Sequence, residues 1–206
     1  MTSSIKVWDL FIRYFHWTLV IAFLVSYLTE GEYNLHFYSG LYIALLLGLR
    51  LIWGFIATRY ARFSDFVRPP TEVIAYSRSF LSGKNDSNKK YLGHNPLGGL
   101  MVVSLLVSLS LTCFSGVMLY TAEGDSLFSF VEQPILQERS ESDDYQSVNE
   151  SEESESDAEE FWEELHELFV NVTLFLVIIH IAGVIVTGRL HKQDLIKAMI
   201  TGRKKA

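Results

Sequence analysis

Six histidines punctuate the chain, and four of them, His16, His36, His166 and His180, fall at or inside strongly apolar stretches. Imidazole can ligate a metal, carry a proton or serve as a hydrogen-bonding group. An ionisable side chain inside an apolar span is costly, so it is a candidate for function by default. In HELFVNVTLFLVIIH, residues 166 to 180, two imidazoles stand fourteen residues apart. On a helix that interval is about 21 Å of rise and only about 40° of rotation, so the two rings share a face at two depths.

The elements that must hold these rings follow from composition. The 206 residues are 49% hydrophobic, and the mean hydropathy is positive. Four apolar stretches, Leu10 to Leu28, Phe37 to Ala57, Leu97 to Tyr120 and Leu168 to Val186, are each long enough, at about 20 residues, to cross a hydrocarbon core of about 30 Å. Ordinary soluble helices are shorter and polar on one side. The expected fold is therefore all-α, an integral membrane four-helix bundle in a single domain over residues 1–206, with helices at about 10–28, 37–57, 97–120 and 165–187. The first stretch is interrupted by Arg13 and His16 and is followed by LTEGEY. That sequence offers no small-residue cleavage pattern, so it reads as a retained helix rather than a signal peptide.

Charge placement orients the bundle, because Lys and Arg in short flanking segments favour the cytoplasmic side. Residues 58 to 97 hold seven Lys/Arg against three acids, and the tail from Gly188 holds six against Asp194 alone. Both segments are expected in the cytoplasm, which places both termini there too, in a multi-pass membrane protein. Residues 122–164 contain 16 of the 24 acids and one base, Arg139. The rest of the chain is net +8, so the overall charge of -7 describes one periplasmic insertion. Its acid- and Ser-rich centre is expected to be disordered. A sharper reading is a docking surface for a cationic partner, since a block of charge accelerates encounter. FSFV near Phe128 and FWEEL at residues 161 to 165 read as amphipathic pieces at the outer membrane surface.

Depth then pairs the histidines. His36 opens the second helix at the outer end, level with His166, whereas His16 lies fourteen residues before the outer end of the first helix, level with His180. Two imidazoles facing each other at a common depth suit bis-histidine ligation of haem iron, and two such pairs would make a wire across the bilayer. The competing readings for single histidines are a hydrogen-bonded structural role, a proton relay or a transport site. Zinc is a weaker candidate, because the pairs lie too far apart for one four-ligand site and no Cys cluster accompanies them. Cys113 is the only cysteine, so no C-x-x-C-H segment exists for covalent attachment. The haems are expected to be two non-covalent haems b.

Neighbouring residues fit this picture with duller alternatives beside it. Gly40, one turn after His36, would let a flat macrocycle approach the backbone. Gly48 and Gly54 read as helix-packing residues. Arg13 and Arg50 are candidates to neutralise a haem propionate at the inner level, against snorkelling toward cytoplasmic headgroups. Ser104, Ser108, Thr112 and Ser115 read as packing residues. In GHNPLGG, Asn95 can cap the third helix with Pro96 in its first turn, which gives His94 a structural reading. His191 follows Arg189 at the inner end of the fourth helix, where it is a weaker candidate for a propionate or quinone neighbour.

RYFHW at 13 to 17, HFYSG with the following RLIWG at 36 to 54, GHNPLGG at 93 to 99 and the HELF…IIHIAGV…LH pattern resemble the bacterial cytochrome b561 and nickel–iron hydrogenase b-type cytochrome family. The resemblance covers nearly the whole chain apart from the acidic insertion. It implies a four-helix, two-haem membrane cytochrome with His16 and His180, and His36 and His166, as axial iron ligands. It also implies electron exchange between the quinone/quinol pool and a redox partner. The acidic insertion favours a periplasmic c-type cytochrome as that partner, with a hydrogenase small subunit as the alternative. Such a protein is a quinol-linked oxidoreductase component without catalytic side chains of its own, surrounded by membrane lipid, and no feature points to nucleic acid. A quinol-dependent superoxide oxidase and a haem-free transporter complete the alternatives.

Overall fold

The computed structural model describes residues 4–82, 93–123, 148–191 and 193–205. Within them lie a strand β1 (Ser4–Lys6), helices α1 (Leu10–Leu28), α2 (Tyr33–Ile56), α3 (Phe63–Phe66), α4 (Pro70–Leu81), α5 (Pro96–Ala122), α6 (Val148–Leu190) and α7 (Leu195–Thr201), and a strand β2 (Arg203–Lys205). Four of these helices, α1, α2, α5 and α6 from Asp157 onward, are long and apolar enough to cross a membrane. Their side chains explain why: Leu28, Phe55, Ile56 and Phe175 are each more than three-fifths exposed. In lipid such surfaces are solvated, and a helix satisfies its own backbone polar groups.

Two expected boundaries differ. The second span begins at Tyr33 rather than near residue 37, which puts His36 inside the first turn, its N–H bonded to the Glu32 carbonyl at 3.0 Å. The expected disordered insertion, 122–164, is helical from Val148 onward, so α6 takes in its last 17 residues and continues through FWEEL at 161–165. Glu and Ala are strong helix formers, acids near a helix N-terminus oppose the macrodipole, and extending an existing helix adds a hydrogen bond without a new nucleus. Residues 124–147 of the insertion, with FSFV near Phe128, lie outside the described residues.

The chain divides into two compact units, Met1–Val107 with Leu174–Ala206, and Ser108–Thr173. In the first, α1 and α2 pack against one another and Asp9 ties them together. One carboxylate oxygen accepts the Ile12 N–H at 2.9 Å as an N-cap, and the other accepts from Trp53 Nε1 at 3.2 Å and Thr58 Oγ1 at 2.9 Å. A cap alone is worth about 1 kcal/mol. Below it sits a small core of Val7, Trp8, Ile12, Ala57, Ala61 and Ala198. Upon that core the two ends of the chain meet, with β1 and β2 antiparallel and Ile5 opposite Lys204. A pair of three-residue strands is too small to stand alone. Gly202, at φ +77°, ends α7 in the left-handed region, and its carbonyl accepts from Val7 N and Trp8 N.

Glycine permits two close approaches in this unit. A Cβ on Gly99 would overlap the Phe66 carbonyl oxygen, and one on Gly54 would overlap the Phe63 ring. The second unit joins the later part of α5 to the earlier part of α6 through hydroxyls. Ser108 Oγ lies 2.6 Å from Thr173 Oγ1, Thr112 Oγ1 lies 3.2 Å from the same atom, and Ser115 and Thr173 are wholly buried. Short polar side chains of this kind let helices approach and bond in an apolar medium. Phe114 packs edge-on to Trp162 at 5.9 Å.

Candidate functional site

Within the first unit, His16 on α1 and His180 on α6 lie within electrostatic reach of each other. The first and fourth spans therefore each bring an imidazole within electrostatic reach of the other. The Trp17 ring stands edge-on to His16 at 5.1 Å. His16 Nδ1 is enclosed and has no hydrogen-bond partner. Arg13, one turn earlier, donates from Nη2 to the Ile200 carbonyl, while its Nε is enclosed without a partner.

Arg50 does not snorkel. It is 4% exposed, donates from Nη2 to the Ala61 carbonyl at 3.1 Å, and lies over the Phe63 and Phe66 rings at 5.1 and 5.9 Å. Stacking suits the planar guanidinium, yet Nη1 has no partner. His94 fills the space between Trp8 at 4.7 Å and Phe66 at 5.1 Å. The residue is half-buried overall but its Nδ1 is shut in. Burial, then Lys204, Arg50 and His180 nearby, push its pKa down to about 3, so the ring is neutral. Capping falls to Asn95, whose Oδ1 accepts the Gly98 N–H at 2.6 Å ahead of Pro96. His191 lies in the turn after α6, half-buried, with its N–H on the Thr187 carbonyl.

His36 also belongs to the first unit. Its Nδ1 lies 2.9 Å from the Ser26 carbonyl oxygen; since a carbonyl only accepts, Nδ1 carries the proton and the lone pair of the neutral ring sits on Nε2. On the same face, a Cβ built on Gly40 would meet no atom within 4 Å, leaving room for a flat group. Gly48 is equally open, whereas Gly54 is filled by Phe63.

His166 belongs to the second unit. Its Nδ1 lies 3.1 Å from both the Thr112 carbonyl oxygen and Ser115 Oγ, which fixes the same tautomer as in His36. Gly116 makes space for it, because a Cβ there would come within 3.0 Å of the ring Cε1. With His36 and His166 in separate units, their pairing rests on helical register alone. Thr112 and Ser115, which read as packing residues in the sequence, and Gly116, which no sequence feature marks, are the supporting residues. The near-helical spacing of the hydroxyls was visible, but the role of a backbone carbonyl leaves no trace in residue type.

The donor set fits a porphyrin iron better than a bare ion. Among the described residues no three His, Cys, Asp or Glu side chains converge, so two imidazoles suit a metal that brings its own equatorial ligands. His16 Nδ1 and Arg13 Nε are enclosed and unpartnered, polar atoms that a bound polar group would satisfy. No curated protein and no solved structure matches the chain. The family model for prokaryotic cytochrome b561 matches residues 7–202, nearly the whole chain and all four apolar helices. The chain therefore belongs to the prokaryotic cytochrome b561 family, as a multi-pass membrane protein that binds b-type haem and transfers electrons.

Proposed function

We propose that the protein holds two haems b, one between His16 and His180 and one between His36 and His166, and passes single electrons between the quinone pool and a basic periplasmic c-type cytochrome. The observation that supports this reading is the electrostatic proximity of His16 and His180, from the first and fourth spans, within one unit. When bound, each haem supplies an Fe(III)/Fe(II) couple.

The chain's own residues do the rest. The Ser26 and Thr112 carbonyls hold the Nδ1 protons of His36 and His166, which orients each ring and strengthens Nε2 as a ligand. Apolar helices exclude water, and Arg13 and Arg50 place positive charge at the inner level. The basic segments at 58–97 and beyond Gly188 favour cytoplasmic termini, which puts the 16 acids of residues 122–164 in the periplasm. There they attract a cationic partner at low salt.

A reduced-minus-oxidised spectrum with haem quantification on detergent-purified protein tests this reading. Two b haems per chain are expected, with one lost in His16→Ala and one in His36→Ala; a haem-free protein overturns it. Capture of the partner should weaken when the acids of residues 122–164 are replaced by their amides. Unchanged capture with salt-insensitive transfer would remove the docking role and favour a hydrogenase small subunit as partner.

A further inference from the structure

Lys204 is a buried cation whose contacts among the described residues are a carbonyl and an aromatic ring. It sits on β2 at 7% exposure, with Nζ 3.1 Å from the Gly93 carbonyl oxygen and 5.5 Å over the Trp8 ring. Burying an ammonium is expensive unless an anion accompanies it, and burial alone pushes its pKa down to about 8, with no acidic side chain opposing the shift. Next to Gly93, His94 has an enclosed Nδ1 with no partner and lies within electrostatic reach of Lys204, Arg50 and His180. Arg50 is 4% exposed and keeps Nη1 unpartnered. The acid that faces it is Asp9, but both Asp9 oxygens are taken by Ile12, Trp53 and Thr58. Two buried cations thus lie within electrostatic reach of His94, as does His180, and among the described residues no carboxylate is hydrogen-bonded to either cation.

We propose that Lys204, Arg50 and His94 form an anion pocket that receives a carboxylate of the haem held by His16 and His180. The inference rests on that haem assignment and extends it. Haem b carries two propionates, and a buried charge-assisted hydrogen bond satisfies both the carboxylate and the cations. Because Lys204 stands on the strand that pairs with β1, the meeting of the chain ends completes the inner haem site. Phospholipid phosphate is the other source of anionic oxygen at this level.

The test uses the full-length haem-loaded protein in detergent, as wild type, Lys204→Met and Lys204→Arg. Haem retention, the two midpoint potentials and bound phosphorus are measured, and the inner haem is identified as the one lost in His16→Ala. In Lys204→Met the inner haem should dissociate about tenfold faster and its potential should fall, because a lost positive charge favours the oxidised iron. The other haem should not change, and Lys204→Arg should restore both properties. Unchanged retention and potential in Lys204→Met overturn the pocket, as does loss of bound phosphorus with both haems unaltered, which assigns the anion to lipid. Should Lys204→Met fail to fold, redox-difference infrared spectra of wild type and Lys204→Arg decide: a shifted propionate carboxylate band supports the pocket and an unshifted band overturns it. Retention of two haems in His16→Ala would instead overturn the haem assignment itself, a result separate from the Lys204 outcomes.

Discussion

Ser115 Oγ and His166 Nδ1 lie 3.1 Å apart in the second unit, and the same ring nitrogen lies 3.1 Å from the Thr112 carbonyl oxygen. The carbonyl dictates that Nδ1 donates, so the hydroxyl acts as a second acceptor for the same proton. Ser115→Ala should keep both haems, since Thr112 still orients the ring, while raising the midpoint potential of one as the ligand loses electron density. Ser115→Thr should revert the shift. Gly116→Val should displace the imidazole and lose one haem, because a Cβ already stands within 3.0 Å of Cε1. Redox titration with haem quantification checks all three variants.

His166 and His180 stand on one uninterrupted helix, fourteen residues apart. Inserting one alanine after Leu174 would rotate one imidazole by about 100° relative to the other. One haem should be lost, while Leu174→Ile should lose none. Two haems in the insertion variant would contradict the register that pairs the ligands.

Asp9 joins the cap of α1 to Trp53 and Thr58. Asp9→Ala removes all three acceptor contacts and should destabilise the first unit by about 2–3 kcal/mol. Asp9→Asn, which retains one capping oxygen, should cost less. Thermal unfolding followed by the haem absorption band reports the order, and equal midpoints for wild type and Asp9→Ala would refute it.

His94 makes the first unit acid-sensitive. Its folded pKa of about 3 lies below the ordinary imidazole value of 6.5, so between these pH values the unfolded chain takes up a proton that the native ring refuses. Its contribution is complete above pH 6.5 and declines as pH falls toward 3, by up to about 1.4 kcal/mol per pH unit. The phenyl ring of His94→Phe preserves packing between Trp8 and Phe66 without titrating. In the haem-free protein, where no propionate faces the ring, wild type should therefore lose thermal stability relative to His94→Phe as pH drops from 6.5 to 4.5. Parallel curves would show that His94 is not held neutral.

Much of the site was legible because helices convert sequence spacing into geometry. Fourteen residues between His166 and His180 fix both azimuth and depth on a helix, and Asn95 with Pro96 announces the start of α5 by local chemistry alone. The second half of the acidic segment carries two signals at once. Its charge suggests disorder, but its Glu and Ala also propagate a helix already nucleated within the membrane span. Arg50 was left between two readings, because residue type cannot say whether a long cation reaches out or folds back over Phe63 and Phe66.

What residue order alone determined is periodic and local: four apolar spans, the asymmetry of charge between their connections, and the histidine intervals. These follow from the fixed rise and turn of a helix and from the cost of placing polar groups in lipid. Tertiary structure decided the contacts between groups far apart in the chain: Ser26 and Thr112 carbonyls on His36 and His166, Lys204 beneath Gly93 and beside His94, and β1 against β2. Backbone carbonyls are common to every residue and a three-residue strand has no periodicity to read, so only the fold could say which of them meet.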